Sequence, residues 1–232
     1  MSKGKNIEQY KQLHSKVESY GTTSVSYINE VCLIIDFLKP KSILDYGCGK
    51  GTLINKLKSL YPNVEIIGYD PAIPGIDKLP ENIKVDLIIN TDVLEHIPEE
   101  EIDSTIYKIK SISDNVYFNL HHALACALLP DGTNAHCTVR NKYWYNAKFS
   151  EYFPVITFLD GVEPWQSTVC TFAITTDVWE KYADIIQKRK NVRKIYLRIK
   201  PIYDPIRPLI LPFVKILKKI VYGIGMKILV GK

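Results

Sequence analysis

The chain has 232 residues, 46% of them hydrophobic and 24% charged, which is ordinary for one globular α/β domain with a sizeable core. Its five cysteines are scattered and form no C-x-x-C pair, so we predict reduced thiols and no zinc site. Met1–Tyr20 contains no basic-then-apolar leader, which argues against secretion and favours the cytoplasm.

Charge is distributed unevenly along the chain. Residues 187–232 contain thirteen Lys or Arg and one acid, a net charge of +12, so the rest of this +5 protein carries −7. An acidic body with a basic tail predicts that the tail meets an anionic partner.

Two helices are predicted ahead of the first strand, within residues 1–40. Ile7–Ser19 has apolar residues at helical spacing, and Val25–Leu38 has the same pattern before Pro40 ends it. The polar stretch Tyr20–Ser24 interrupts the two helices and offers a cap for the second.

A glycine-rich stretch follows the first predicted strand. Ser42–Tyr46 is an apolar run with an acid at Asp45, glycines follow at 47, 49 and 51, and a helical pattern begins at Thr52. A dinucleotide loop would read G-x-G-x-x-G, and here its last glycine is replaced by Thr52. Asp45 would repel a pyrophosphate but suits a ligand that carries an ammonium group.

Two further stretches complete a recognisable pattern. Val64–Asp70 ends a second strand in an acid, and residues 85–96 (VDLIINTDVLEH) form a strand followed by a polar loop. Together with the glycine motif, they resemble the class I S-adenosylmethionine (SAM) methyltransferases over roughly residues 10–180. The resemblance implies SAM as cofactor and a Rossmann-like α/β fold.

The resemblance also implies a set of cofactor-binding residues. Asp45 and Asp92, with main-chain groups of Gly47 and Gly49, would hold the methionine half of SAM, and Asp70 would hold the ribose. Because the N-terminal segment often folds over the cofactor in this family, Tyr20 and Thr22–Ser24 are lid candidates, or alternatively a plain interhelical cap. The complete predicted set is Tyr20, Asp45, Gly47, Cys48, Gly49, Gly51, Asp70, Pro71, Asp92 and Val93.

The region after Asp70 departs from the family pattern. Residues 71–80 contain three prolines and a glycine, so no helix can run through them. We therefore expect a shortened third-strand region, with adenine contacts from Pro71 and the Lys78–Leu79 region.

The remaining elements complete the predicted fold. They are a helix from Pro98 to Ile112, a strand at Asn115–Leu120, a helix at Tyr143–Phe153, and two closing strands at Val155–Leu159 and Ser167–Thr175. The prediction is a mostly parallel sheet of the seven-stranded type with helices on both faces. The methyltransferase domain is placed at residues 1–180 and a basic helical tail at 181–232.

Four histidines are candidates for the catalytic and acceptor-binding region. His96 follows the fourth strand, while His121 and His122 end the fifth, where open α/β sheets place ligands. A third stretch, residues 131–136, resembles a D-G-x-N-A-H signature of bacterial and phage methyltransferases, with Trp144 at the place of a following aromatic. His136 is the preferred base, with His121 and His96 also catalytic candidates. The substrate-binding candidates are Asp131, Asn134, His122 and Trp144.

Each of these assignments has a structural alternative. His96 can be a packed, hydrogen-bonded ring, and residues 131–136 can be a polar turn whose side chains satisfy one another. His121, His122, His136 and Asp131 are an alternative set of metal ligands, but no metal is predicted.

The C-terminal tail begins with a predicted basic helix at Asp177–Lys200, followed by four prolines. From Phe213 the pattern becomes an amphipathic helix, with Lys215, Lys218 and Lys219 opposite an apolar face. Such a helix can lie on an anionic membrane surface or pack against the domain or a dimer partner. Nucleic acid is disfavoured because no recognised nucleic-acid-binding motif is present.

The function predicted from the sequence is SAM-dependent O-methylation of a hydroxyl-bearing acceptor. We favour a sugar or glycan intermediate at the inner face of a membrane, to which the tail would bring a cytoplasmic enzyme. The alternatives are a soluble small-molecule methyltransferase with a dimerising tail, and a catalytically silent recruitment module. The loop spacing disfavours a nicotinamide dehydrogenase.

Overall fold

The structure is a computed structural model that describes residues 3–172 and 179–198. The chain divides into two compact units, Met1–Ala183 and Asp184–Lys232. The amphipathic helix predicted from Phe213 onward lies outside the described residues. Within the described part, no helix is long and apolar enough to cross a membrane.

A six-stranded sheet forms the centre of the first unit, in the order β2-β1-β3-β4-β6-β5. The first four strands in that order are parallel, and β6 and β5 are antiparallel to their neighbours. The strands are β1 (Ser42–Tyr46), β2 (Glu65–Tyr69), β3 (Leu87–Thr91), β4 (Val116–His121), β5 (Thr157–Asp160) and β6 (Gln166–Cys170).

The described residues contain six α-helices. They are α1 (Lys3–Lys16), α2 (Ile28–Leu38), α3 (Thr52–Leu60), α4 (Glu99–Ile112), α5 (Lys142–Tyr152) and α6 (179–198). Two short 3-10 turns, Thr23–Tyr27 and Leu94–His96, precede α2 and α4.

Apolar periodicity explains how the helices pack on the sheet. In α4, Ile102, Ile106 and Ile109 recur at helical spacing and are fully buried. They join a core with Leu44 of β1 and Phe118 of β4. This packing stabilises β1, β3 and β4 side by side. Because these strands are parallel, their carboxyl ends lie at one edge of the sheet.

The predicted fold is confirmed. The predicted strands are all present, with boundaries shifted by a few residues, and the closing antiparallel hairpin is β5–β6. Between β2 and β3, residues 70–86 form neither helix nor strand, in line with the shortened third-strand region. One helix prediction needs correction, since Thr23–Tyr27 is a 3-10 turn and α2 begins only at Ile28.

Candidate functional site

A cavity of about 880 Å³ lies at the carboxyl ends of the parallel strands. The N-terminal segment (residues 6–24), the glycine loop (residues 47–51) and the loops after β2, β3 and β4 contribute to its wall. Ligands of open α/β sheets bind at this edge, because the loops there converge. The cavity is therefore the candidate active site.

The glycine loop is packed too closely for side chains at two positions. Gly47 has φ +85°, and an added Cβ would lie 2.3 Å from Cγ2 of Val93. Gly49 has φ +52°, and its Cβ would lie 2.5 Å from the carbonyl oxygen of Gly21. Both positions require glycine for backbone conformation and for space.

The N-terminal segment is attached to the glycine loop by hydrogen bonds. The Lys50 amide donates to the Gly21 carbonyl at 2.9 Å, and the Thr52 hydroxyl donates to the Thr22 carbonyl at 3.1 Å. The Lys50 ammonium donates to the carbonyls of Val17 and Glu18, at 2.9 and 2.8 Å. These contacts hold Tyr20, a predicted lid residue, in the cavity wall.

Asp70 ties the loop after β2 to the glycine loop. One carboxylate oxygen accepts the Gly49 amide at 2.9 Å, and the other accepts the Ala72 amide at 2.9 Å. Each oxygen keeps a lone pair, and Asp70 lines the cavity together with Pro71. This carboxylate can still accept hydrogen bonds from ligand hydroxyls.

Asp45 is fully buried beneath the glycine loop. Neither of its carboxylate oxygens has a hydrogen-bond partner among the described residues. Burial, with a smaller contribution from the nearby charge of Asp70, raises the pKa of Asp45 to about 7. An unpaired carboxylate in this position gains stability from a cationic ligand nearby.

Asp92 lies in the cavity wall just after β3, with φ +53°. The Tyr27 hydroxyl lies 3.1 Å from both of its carboxylate oxygens, and the Gln166 amide donates to the Tyr27 oxygen at 3.2 Å. Burial raises the pKa of Asp92 to about 6, although the Tyr27 hydrogen bond opposes the shift. The Asp92 carboxylate is thus oriented by Tyr27 of the 3-10 turn, which is in turn held by Gln166 of β6.

A histidine cluster (His96, His121 and His136) lines another part of the cavity. The ring centroids of His96 and His136 are 4.7 Å apart, and those of His121 and His136 are 4.8 Å apart. Burial and the neighbouring His136 lower the pKa of His96 to about 3. Burial also lowers the pKa of His121 and of His136. All three rings are therefore neutral near pH 7.

The structure brings together most of the predicted residues but leaves others outside the cavity wall. Tyr20, Gly47, Cys48, Gly49, Asp70, Pro71, Asp92, Val93 and the histidine cluster line it. Those outside the lining are Asp45, Gly51, Lys78, Leu79, His122, Asp131, Asn134 and Trp144.

Four of the outlying residues have structural partners instead. The Asn134 side chain bonds both main-chain groups of Ala125, and Asp131 accepts hydrogen bonds from Thr133. His122 lies between the Arg140 carbonyl and the Ser167 hydroxyl, and Trp144 packs edge-on against Tyr145. Asp131 thus matches the alternative of a turn whose side chains satisfy one another, whereas Asn134 connects the turn to Ala125.

Among the cavity-wall residues that the sequence did not predict, three carry side chains of chemical interest. Glu95 is fully buried beside Asp92, and burial raises its pKa well above the usual range. Tyr10 and His14 of α1 also line the wall, and the His14 ring packs edge-on against Tyr20. Their i, i+4 spacing on α1 places them on one helix face, which is the signal that could have found them.

The comparisons with known proteins agree with this geometry. A family model described as a methyltransferase domain matches residues 27–157, which is more than half of the chain. The chain belongs to the methyltransferase-domain family. The predicted membership of the SAM-dependent methyltransferases is thereby confirmed, and SAM is the cofactor of this protein. No curated protein sequence matches the chain.

Several solved structures are similar to this chain at low identity, each with a TM-score below 0.5. A DhpI–SAH complex is 15% identical and covers 73% of this chain and 98% of that chain, with a TM-score of 0.49. An O-methyltransferase family protein from Burkholderia thailandensis is 10% identical, with 66% and 58% covered and a TM-score of 0.48. The small RNA methyltransferase HEN1 is 13% identical, with 66% and 26% covered and a TM-score of 0.49. Similarity at this level does not identify the acceptor.

The cavity of this methyltransferase fits its cofactor. Because residues 47 and 49 are glycines, no side chain at these positions covers the loop backbone. Asp70, at the end of β2, can still accept hydrogen bonds from a ligand. Asp45 and Asp92 add carboxylates near the site of a ligand whose ammonium and sulfonium groups are positive. The donor set and the charge both suit SAM.

We predict that Lys50→Ala loosens the N-terminal segment over the cofactor. The variant removes the two ammonium hydrogen bonds to Val17 and Glu18, which at this exposed position contribute about 1 kcal/mol. SAM should then dissociate about fivefold faster in stopped-flow measurements. Lys56→Ala, an exposed lysine on α3, is the control. Equal dissociation rates for wild type and Lys50→Ala would show that the attachment does not retain SAM.

We also predict that SAM affinity increases with pH because of Asp45. Since its pKa is raised to about 7, Asp45 is mostly neutral at pH 6, and a cationic ligand favours its ionised form. Binding should release a proton, and Kd should be up to about tenfold higher at pH 6 than at pH 8. Calorimetry in buffers of different ionisation enthalpy measures both effects. Asp45→Asn should lose this dependence, and an unchanged slope in that variant would contradict the assignment.

Proposed function

We propose that this methyltransferase transfers the methyl group to an oxygen of a hydroxyl-bearing acceptor. The supporting observation is the neutral histidine cluster, which lies in the same cavity as the glycine loop. A hydroxyl is a weak nucleophile until it loses its proton, and neutral imidazole is the side chain best suited to accept one near pH 7. The cluster therefore marks the acceptor end of the cavity.

Cofactor positioning is assigned to the carboxylates near the glycine loop. When bound, SAM supplies an electrophilic methyl group on a sulfonium, so the protein needs mainly to align the acceptor, remove its proton and exclude water. Asp70 would hold the ribose hydroxyls, while Asp45 and Asp92 would stabilise the positive methionine end. Tyr10 and Tyr20 would shield the reacting atoms, since both rings pack edge-on against His96.

Activation of the acceptor is assigned to the histidine cluster. The Nδ1 atom of His121 lies near both the carbonyl and the amide of Ala123, at 3.2 and 3.3 Å, so either neutral tautomer is supported. His121 is about half buried at the end of β4, whereas His96 is held deep in the wall. We therefore assign proton acceptance to His121.

The test is an acceptor screen with methyl-labelled SAM. Panels of hydroxyl-bearing metabolites, lipid-linked sugars and RNA are incubated with full-length protein, and the labelled atom is located by NMR. We expect label on oxygen, and we expect His121→Asn to lower kcat by about 10²-fold or more without changing the Kd for SAM. The adjacent His122→Asn, outside the cavity, is the control. Label on nitrogen or carbon, or unchanged kcat in His121→Asn, would contradict the proposal.

For the acceptor class we propose a sugar or glycan intermediate at an anionic membrane surface. This proposal rests on the sequence of the tail, which lies outside the described residues. Replacing Lys215, Lys218 and Lys219 together by Gln should weaken binding to anionic vesicles about 100-fold in flotation assays. Each lysine near such a surface contributes about 1 kcal/mol.

The matched control removes the same charge from the body of the protein. Lys16, Lys56 and Lys58 are exposed, and their joint replacement by Gln should leave vesicle binding unchanged. Wild-type protein that stays in the soluble fraction would instead favour the soluble small-molecule methyltransferase with a dimerising tail.

A further inference from the structure

Glu95, His96 and His136 form a group with the side chains needed to bind a metal ion. Glu95 and His96 belong to the 3-10 turn after β3, and His136 lies on the loop after β4. One ligating atom of each residue lies within 4.8 Å of the other two. The three side chains thus converge from two loops at the carboxyl edge of the sheet.

Glu95 is the first of two observations that point to a cation. It is fully buried. The backbone amides of Glu95 and His121 lie near its carboxylate, but neither oxygen has a hydrogen-bond partner of normal geometry among the described residues. The only Lys or Arg in the described cavity wall is Lys108, whose ammonium lies over the Tyr69 ring. A buried carboxylate without a paired cation is costly, and no lysine or arginine of the described cavity wall supplies that charge to Glu95.

The second observation is the orientation of the two imidazoles. Nδ1 of His96 lies 2.8 Å from the Ala135 carbonyl, and Nδ1 of His136 lies 2.6 Å from the Ala123 carbonyl. Because a carbonyl only accepts, each Nδ1 must carry the hydrogen, and each Nε2 keeps its lone pair. Metal-binding histidines are typically held in this way by a carbonyl behind the ring.

The surrounding contacts hold this arrangement in place. The Tyr10 hydroxyl lies within hydrogen-bond distance of the carbonyls of His96 and Ala135, at 3.0 and 2.8 Å. The Thr138 amide donates to the Glu95 carbonyl at 3.0 Å, which joins the two loops. Ligands about 2.1 Å from an ion lie about 3.0–3.4 Å apart, so atoms that are up to 4.8 Å apart would approach one another by up to about 1.4–1.8 Å when the ion binds, through rotation of the side chains.

We propose that Glu95, His96 and His136 bind one divalent first-row transition ion, with Mn²⁺ and Zn²⁺ as the candidates. Two imidazole nitrogens with a carboxylate suit these ions better than Mg²⁺ or Ca²⁺. Three protein ligands facing a cavity leave coordination positions open, as in catalytic rather than structural sites. The sequence alone predicts no metal, because it does not show that these loops meet.

The ion would bind the acceptor hydroxyl. This role rests on the proposed O-methylation and adds to it the way in which the hydroxyl is activated. Coordination makes the hydroxyl more acidic, and its proton passes to the imidazole of His121. The oxygen then forms the bond to the methyl carbon as the carbon–sulfur bond breaks, and that electron pair stays on sulfur. The products are the methyl ether or ester and S-adenosylhomocysteine, with the proton on His121.

The test measures metal binding without catalysis. Full-length protein freed of any affinity tag is stripped with a chelator and titrated calorimetrically with Mn²⁺ and, separately, Zn²⁺, and its metal content as purified is measured by elemental mass spectrometry. We expect one equivalent per chain, and at least 100-fold weaker binding in Glu95→Gln and in His136→Gln. Glu100→Gln, an exposed acid of α4, and His122→Gln, a ring outside the cavity, are the controls.

Two results would overturn the metal site. One is folded wild-type protein that binds neither ion, in which case Glu95 is a protonated core acid and the rings merely pack. The other is unchanged affinity in both Glu95→Gln and His136→Gln, which would place the ion elsewhere. SAM titration of the same samples distinguishes failure of the metal site from failure of the proposed methyl transfer. Absent metal binding with normal SAM binding would contradict the metal site alone.

Discussion

The close approach of the glycine loop to its neighbours on two sides is the constraint on which the rest of the site depends. Val93 fills the space at Gly47, and the Gly21 carbonyl fills the space at Gly49. These contacts bring the loop after β3 and the N-terminal segment to the same backbone. Any larger residue at 47 or 49 would separate elements that together close the cavity over the cofactor.

The cavity is also defined by an unbalanced set of acids. Asp45 and Glu95 are fully buried, their carboxylates have no hydrogen-bond partner of normal geometry among the described residues, and Asp92 has a raised pKa. In the absence of ligands, burial favours the neutral forms of such groups. A cofactor with ammonium and sulfonium groups, together with a divalent ion beside Glu95, would supply the missing positive charge. The acids thus give one physical reason for both proposed ligands.

The sequence predicts the fold well because its periodicities are local. The apolar runs at β1, β3 and β4, the acids that open α4, and the prolines after Asp70 each determine their own segment. The acceptor end is less predictable, because it depends on which side chains meet across loops. Asp131 bonds Thr133 of its own turn, Asn134 bonds the main chain of Ala125, and His122 bonds Ser167, although the spacing of these residues in the sequence suggested a pocket. Glu95 was missed because its burial follows from the 3-10 turn after β3 rather than from any pattern.

The most direct test of the account is calorimetric titration of the full-length protein with SAM, in parallel with Asp70→Ala. The account predicts micromolar binding by wild type and its loss in the variant, because Asp70 both holds the Gly49 amide and offers acceptors to the ribose. Asp77→Ala, an acid outside the cavity wall, should bind normally. Well-folded wild-type protein that does not bind SAM would contradict the account and would favour a catalytically silent module instead.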